Sequence, residues 1–76
     1  MPKPRKVDAA LRELRRYDSR FEFYFKGKGS HREIWHPDIG GERRSIIIPY
    51  HKGKDILPCY LKDIIRRFNL PGDFFR

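Results

Sequence analysis

The run Phe21-Glu22-Phe23-Tyr24-Phe25-Lys26 alternates apolar and polar residues, and a glycine-rich turn follows at once. A period of two admits a strand, expected here over 20–26, and not a helix. Phe21, Phe23 and Phe25 share one face and ask for a core. Tyr24 lies on the other face. The rest of a 76-residue chain must cover those phenylalanines, so the expectation is one domain over residues 1–76 with a thin core.

The turn Lys26-Gly27-Lys28-Gly29-Ser30-His31-Arg32 leads into a second strand over 31–36. Ile34 is its inward residue, which places His31, Glu33 and Trp35 on the opposite face. Pro37-Asp38-Ile39-Gly40-Gly41 reads as a loop. A third strand over 44–49 turns Ile46 and Ile48 inward and Ile47 outward, and Pro49 ends it because proline donates no amide.

Helical periodicity flanks these strands. Val7, Ala10, Leu11, Leu14 and Tyr17 make one apolar stripe, with Arg12, Arg15 and Arg16 off it. Leu61, Ile64, Ile65 and Phe68 make another, starting near Pro58 and stopped by Asn69-Leu70-Pro71-Gly72. The first six residues are expected to fray, and Phe74 or Phe75 to fold back over the core edge. The fold class is therefore α+β, in the order α-β-β-β-α. A three-stranded antiparallel sheet carries both helices on one face.

Lys and Arg number 18 against 10 Asp and Glu, a net charge of +8. That balance favours a polyanionic partner, nucleic acid before an acidic protein or a membrane surface. The single cysteine, Cys59, excludes an intrachain disulfide, and no apolar run is long enough to span a bilayer. His31, His36 and His51 show no metal-ligand spacing, so no metal or other cofactor is expected. The expected location is the cytoplasm.

The turn holds the chemistry. Lysines draw in a phosphodiester chain, glycines let the backbone approach it, and histidine is the side chain suited to moving protons near neutral pH. RNA carries its own nucleophile, the 2′-hydroxyl. His31 is thus the candidate acid or base. Lys26, Lys28, Gly29, Ser30 and Arg32 are candidates for holding phosphate or orienting the histidine. The second basic turn, Tyr50-His51-Lys52-Gly53-Lys54, adds His51 and Lys52 as phosphate contacts. His51 reads equally well as a second proton-transfer group or as a structural residue, and His36 as a structural or capping one. In an antiparallel meander the two turns lie at one end of the sheet. The outward Tyr24, Trp35 and Ile47 suit a protein interface, through a partner or self-association, and exposed aromatics also stack on unpaired bases.

The element order is similar to the double-stranded-RNA-binding fold. Gly29-Ser30-His31 opening the second strand, His36-Pro37, Pro49-Tyr50-His51 closing the third, and Lys54-Asp55-Ile56 with Leu61-Lys62-Asp63-Ile64-Ile65 resemble something narrower, the HicA family of toxin–antitoxin ribonucleases. The likeness runs over residues 7–75 and is strongest over 26–68. The resemblance implies a metal-independent endoribonuclease that cuts mRNA, a catalytic histidine at His31, and a HicB-type antitoxin as partner, and it leaves a homodimer open. The chain departs from many members at Tyr17-Asp18-Ser19, where they carry a glycine. A non-catalytic RNA-binding module of the same fold, or a small protein docking an acidic partner, accounts for the charge but gives His31 no special reason.

Overall fold

The computed structural model describes residues 2–76. Helix α1 (Val7–Tyr17) is followed by strands β1 (Glu22–Lys26), β2 (His31–Ile39) and β3 (Glu42–Pro49), then helix α2 (Pro58–Arg67). The sheet is antiparallel in the order β1-β2-β3. This is the α-β-β-β-α fold read from the sequence, and both helix boundaries agree with the periodicity.

The two apolar stripes meet the inner face of the sheet in one core. Val7, Ala10, Leu11 and Leu14 from α1 and Leu61 and Ile64 from α2 pack with Phe21, Ile34, Ile48, Phe68 and Phe75. Edge-to-face contacts join Phe21 to Phe68 with ring centroids 5.1 Å apart. Phe75 is fully buried, so the C-terminal tail does fold back. Helix α2 ends in a Schellman turn: Leu70 N–H donates to Ile65 O at 2.9 Å, and Asn69 takes the left-handed conformation at φ 54°.

Four expectations need correction. Of the first six residues Met1 lies outside the described ones, and the rest are tied down: Lys3 N–H donates to Phe75 O at 2.7 Å and Ile56 N–H to Arg5 O at 2.8 Å. The Arg5 guanidinium binds both Glu13 and the Phe75 carbonyl. Residues 37–39 are not loop but the continuation of β2, and only Gly40-Gly41 turns. Their φ values of 61° and 87° suit a two-residue hairpin, and Ile39 pairs with Glu42. The register slips between His36 and Ile39, and Pro37 lies in that bulge, where a missing amide costs least. Phe25 is 76% exposed rather than core, because the inner face beside it is filled by the Arg32 guanidinium. Tyr17, placed on the α1 stripe, is 57% exposed and stands edge-on against Phe74.

Candidate functional site

The turn between β1 and β2 winds left-handed. Gly27, Lys28 and Gly29 have φ of 58°, 57° and 93°. This brings Ser30 back over Gly27, with the Ser30 amide 3.2 Å and the Ser30 hydroxyl 2.8 Å from Gly27 O. The same Oγ lies 2.9 Å from His31 Nδ1. A hydroxyl has one proton, and the Gly27 carbonyl can only accept. Both contacts are satisfied together when Nδ1–H donates to Oγ and Oγ–H donates to Gly27 O. The neutral ring then carries its proton on Nδ1 and presents Nε2 as an acceptor. A side chain at position 27 would spoil this arrangement, since a Cβ there would lie 2.6 Å from Ser30 Oγ and 3.1 Å from His31 Nδ1.

His31 is exposed and stands on the outer face of the sheet, between Lys26 on β1 and Pro49 on β3. Tyr50 N–H donates to Ser30 O at 2.8 Å, so the backbone of the second basic turn is tied to the first. The meander thus brings the start of Tyr50-His51-Lys52 to the end of the sheet that holds His31, as the topology required. Lys28, His51 and Lys52 are exposed there. Lys26 is half exposed and leans toward Glu33, with Nζ 3.5 Å from the carboxylate.

Arg32 is not brought to that face. It is one residue on from His31 and therefore points inward, where it is 9% exposed. Its guanidinium is sandwiched between Phe25 and Tyr50, 4.2 and 3.8 Å from the ring centroids. It also donates to Gly29 O at 2.9 Å and His31 O at 3.2 Å. Arg32 therefore clamps the turn from behind through Nη1, and it lies on the inner side of the sheet where a phosphate contact on the His31 face was expected. Gly29 takes part through that carbonyl. Gly27 was expected only as a backbone amide donor and serves instead through its carbonyl, and Tyr50 was absent from the sequence-derived site. The Lys-Gly-Lys-Gly pattern was the signal for Gly27, whereas nothing local marks Tyr50 as the far wall of an arginine sandwich.

Tyr24, Trp35 and Ile47 do share the outer face. Tyr24 pairs with Glu33, which pairs with Ile47, and Trp35 sits between Glu22 and Ser45. Tyr24 and Ile47 are 44% and 54% exposed, whereas Trp35 is partly covered. The Tyr24 hydroxyl donates to Glu22 at 2.9 Å, and ionising the phenol beside that carboxylate is disfavoured, so its pKa is raised.

His36 occupies a different setting. It is 1% exposed, with Phe21 edge-on at 4.7 Å. The Asp38 amide donates to its Nδ1 at 3.0 Å, so the proton is on Nε2, which donates to Asp18 Oδ2 at 2.8 Å. Arg20 also donates to Asp18, from side chain and backbone, and these bonds, with that from His36, hold the Asp18 carboxyl far below its usual range. Asp18 has an extended backbone, φ −150°, which any residue adopts. The capping and structural reading of His36 matches this geometry. Among the described residues no group of three or more His, Cys, Asp or Glu side chains is placed to hold a metal ion. No helix of the described chain is long and apolar enough to cross a membrane.

The family model for the HicA toxin of bacterial toxin–antitoxin systems matches residues 11–70 of the 76-residue chain. That span holds the whole sheet, the left-handed turn, His31, His36 and His51, and all of α2. No curated protein and no solved structure gives a match.

Proposed function

Because the chain belongs to the HicA toxin family of bacterial toxin–antitoxin systems, we propose that it is an endoribonuclease that cuts mRNA with His31 as its catalytic residue. One observation carries the reading. Ser30 holds Nδ1 of an exposed imidazole in place, on a hydroxyl itself anchored to Gly27 O. That leaves Nε2 as a directed proton acceptor at the mouth of a basic turn.

Nε2 takes the proton of a ribose 2′-hydroxyl as that oxygen attacks the adjacent phosphorus. The bond to the 5′-oxygen breaks, that oxygen leaves with a proton from water, and the hydroxide so formed takes the proton from Nε2, which restores the ring. The products are a 2′,3′-cyclic phosphate and a 5′-hydroxyl. Ser30 stabilises the protonated ring by accepting from Nδ1–H throughout. Lys26, Lys28, His51 and Lys52 surround the phosphate and offset the charge gathering on it, the kind of fixed electrostatic help that adds to proton transfer. Arg32 acts from the other face by clamping Gly29 and His31. The reaction needs no divalent ion. In the cell the toxin acts in the cytoplasm, and a HicB-type antitoxin neutralises it.

The test is cleavage of a mixed mRNA substrate by purified wild type and His31→Ala protein, each with and without EDTA. Wild type is expected to cut in EDTA and leave cyclic phosphate ends, and His31→Ala not to cut. Cleavage by folded His31→Ala protein overturns the assignment. RNA retained uncleaved by wild type returns the protein to the class of binding modules.

A further inference from the structure

The two edges of the sheet are treated differently. The β3 edge is guarded: Arg67 Nε donates to Ser45 O at 2.9 Å, and Arg44 returns a bond to Arg67 O at 3.0 Å. The β1 edge is open. Arg15 reaches Phe21 O at 3.1 Å, one residue ahead of the strand. Among the described residues nothing beyond β2 binds the backbone of Glu22–Lys26. An open edge of this kind is a template for another strand.

The strand on that edge is self-complementary. Its sequence Glu22-Phe23-Tyr24-Phe25-Lys26, laid antiparallel on itself about Tyr24, sets Glu22 against Lys26, Phe23 against Phe25 and Tyr24 against Tyr24. Opposite charges face each other at both ends, and aromatics pair between them, the combinations that stabilise antiparallel neighbours. Phe25 is 76% exposed and Tyr24 44%, more apolar surface than an unpaired edge needs. Glu22 uses Oε1 for the Tyr24 hydroxyl, and Lys26 is 52% exposed, so both can engage a facing chain.

We propose that β1 is a dimerisation edge, joining two copies of this chain about a two-fold axis through Tyr24 into one six-stranded sheet. The interface is isologous and closes with two subunits. Phe25 of each copy is covered by Phe23 and Arg15 of the other. Both helical layers lie on one side. The two His31 residues lie on the other, about 20 Å apart by strand spacing and rise. This inference does not rest on the catalytic reading, since its tests measure association alone.

Sedimentation equilibrium of the full chain from micromolar to submillimolar concentration is expected to show a monomer–dimer equilibrium. Glu22→Lys sets lysine against lysine at both ends and is expected to weaken the dimer by about ten-fold or more. Adding Lys26→Glu to it restores opposite charges with the partners exchanged, and with them the affinity. Tyr24→Cys in a Cys59→Ser background is expected to form a disulfide-linked dimer on mild oxidation, because directly facing residues lie within disulfide reach. A wild-type chain that stays monomeric throughout overturns the proposal. So does a double variant that remains as weak as Glu22→Lys while both keep the wild-type circular dichroism spectrum. Failure of the cysteine pair to cross-link where a dimer exists overturns the register.

Discussion

His31 and His36 lie five residues apart on the same strand and serve opposite ends. Five is odd, so the pleat sends them to opposite faces. His31 is exposed with one nitrogen held and one offered. His36 is buried with both nitrogens engaged, one by the Asp38 amide and one by the Asp18 carboxylate. The residue type is the same, and the difference lies in how many of its two hydrogen-bonding positions the fold has already used. His36, buried with both positions taken, is built into the structure, whereas His31, exposed with one nitrogen anchored, keeps the other open to a ligand. Exchanging the damage done by removing each one is the direct way to break this contrast.

The largest effect is expected from His31→Ala. Loss of a positioned acid or base removes about 10²–10⁴-fold of rate. The exposed ring contributes little to the core, so the denaturation midpoint should hardly move. A large fall in stability with His31→Ala would erase the distinction between the two histidines. His36→Ala should do the reverse. It opens a cavity beside Phe21 and strips partners from Asp18 and the Asp38 amide, a loss of about 2–4 kcal/mol by chemical denaturation. Cleavage per folded molecule should survive.

Gly27→Ala sharpens the comparison on the His31 side. A non-glycine residue in the left-handed region costs about 1–2 kcal/mol. The new methyl would also press on Ser30 Oγ and His31 Nδ1, at 2.6 and 3.1 Å from the ideal Cβ position. Activity is therefore expected to fall by more than the loss of stability implies. Ser30→Ala is milder. It keeps the turn but frees Nδ1, and removing one hydrogen bond worth about 1.4 kcal/mol gives about ten-fold in turnover. RNA affinity should stay close to wild type, and Ser30→Thr should recover most of the rate. A purely structural serine would move stability and leave turnover alone.

The contrast also explains what could be read in advance. The element order followed from two periodicities and was legible, because amphipathic stripes in so short a chain have one core to meet. The outward, exposed position of His31 was legible because strand parity acts locally, and the glycine-rich basic turn beside it marked it as a candidate. The inward turn of Arg32 follows from the same parity, but its positive charge suggested a phosphate contact. Only tertiary contact reveals that Phe25 and Tyr50 form a slot for a guanidinium, and that slot is also why Phe25 is left outside the core. The strand through Pro37-Asp38-Ile39 was hidden for a related reason. Proline and aspartate signal a turn, yet the His36 ring replaces a ladder acceptor for the Asp38 amide, and that substitution has no sequence period.

The smallest effect expected lies on the His36 side and is read through pH. A carboxyl whose pKa falls on folding stabilises the protein above its unfolded value of about 3.9, and that stability is lost as pH drops toward the folded value. Asp18 is such a group, held down first by Arg20 and then by His36. Wild type should therefore lose stability steadily below about pH 4, through a folded-state pKa that lies beyond the usual carboxylate range. Asp18→Asn removes the charge and keeps a side chain that can still meet His36. Because the Asp18–Arg20 pair is partly exposed, with side chains 23% and 55% accessible, the neutral-pH cost should be about 1 kcal/mol. The acid slope should flatten, and cleavage at neutral pH should be untouched, since Asp18 serves the histidine that faces inward. An Asp18→Asn variant that loses activity while keeping its stability would mean that the two ends of β2 are coupled, and that the division of labour between its histidines is wrong.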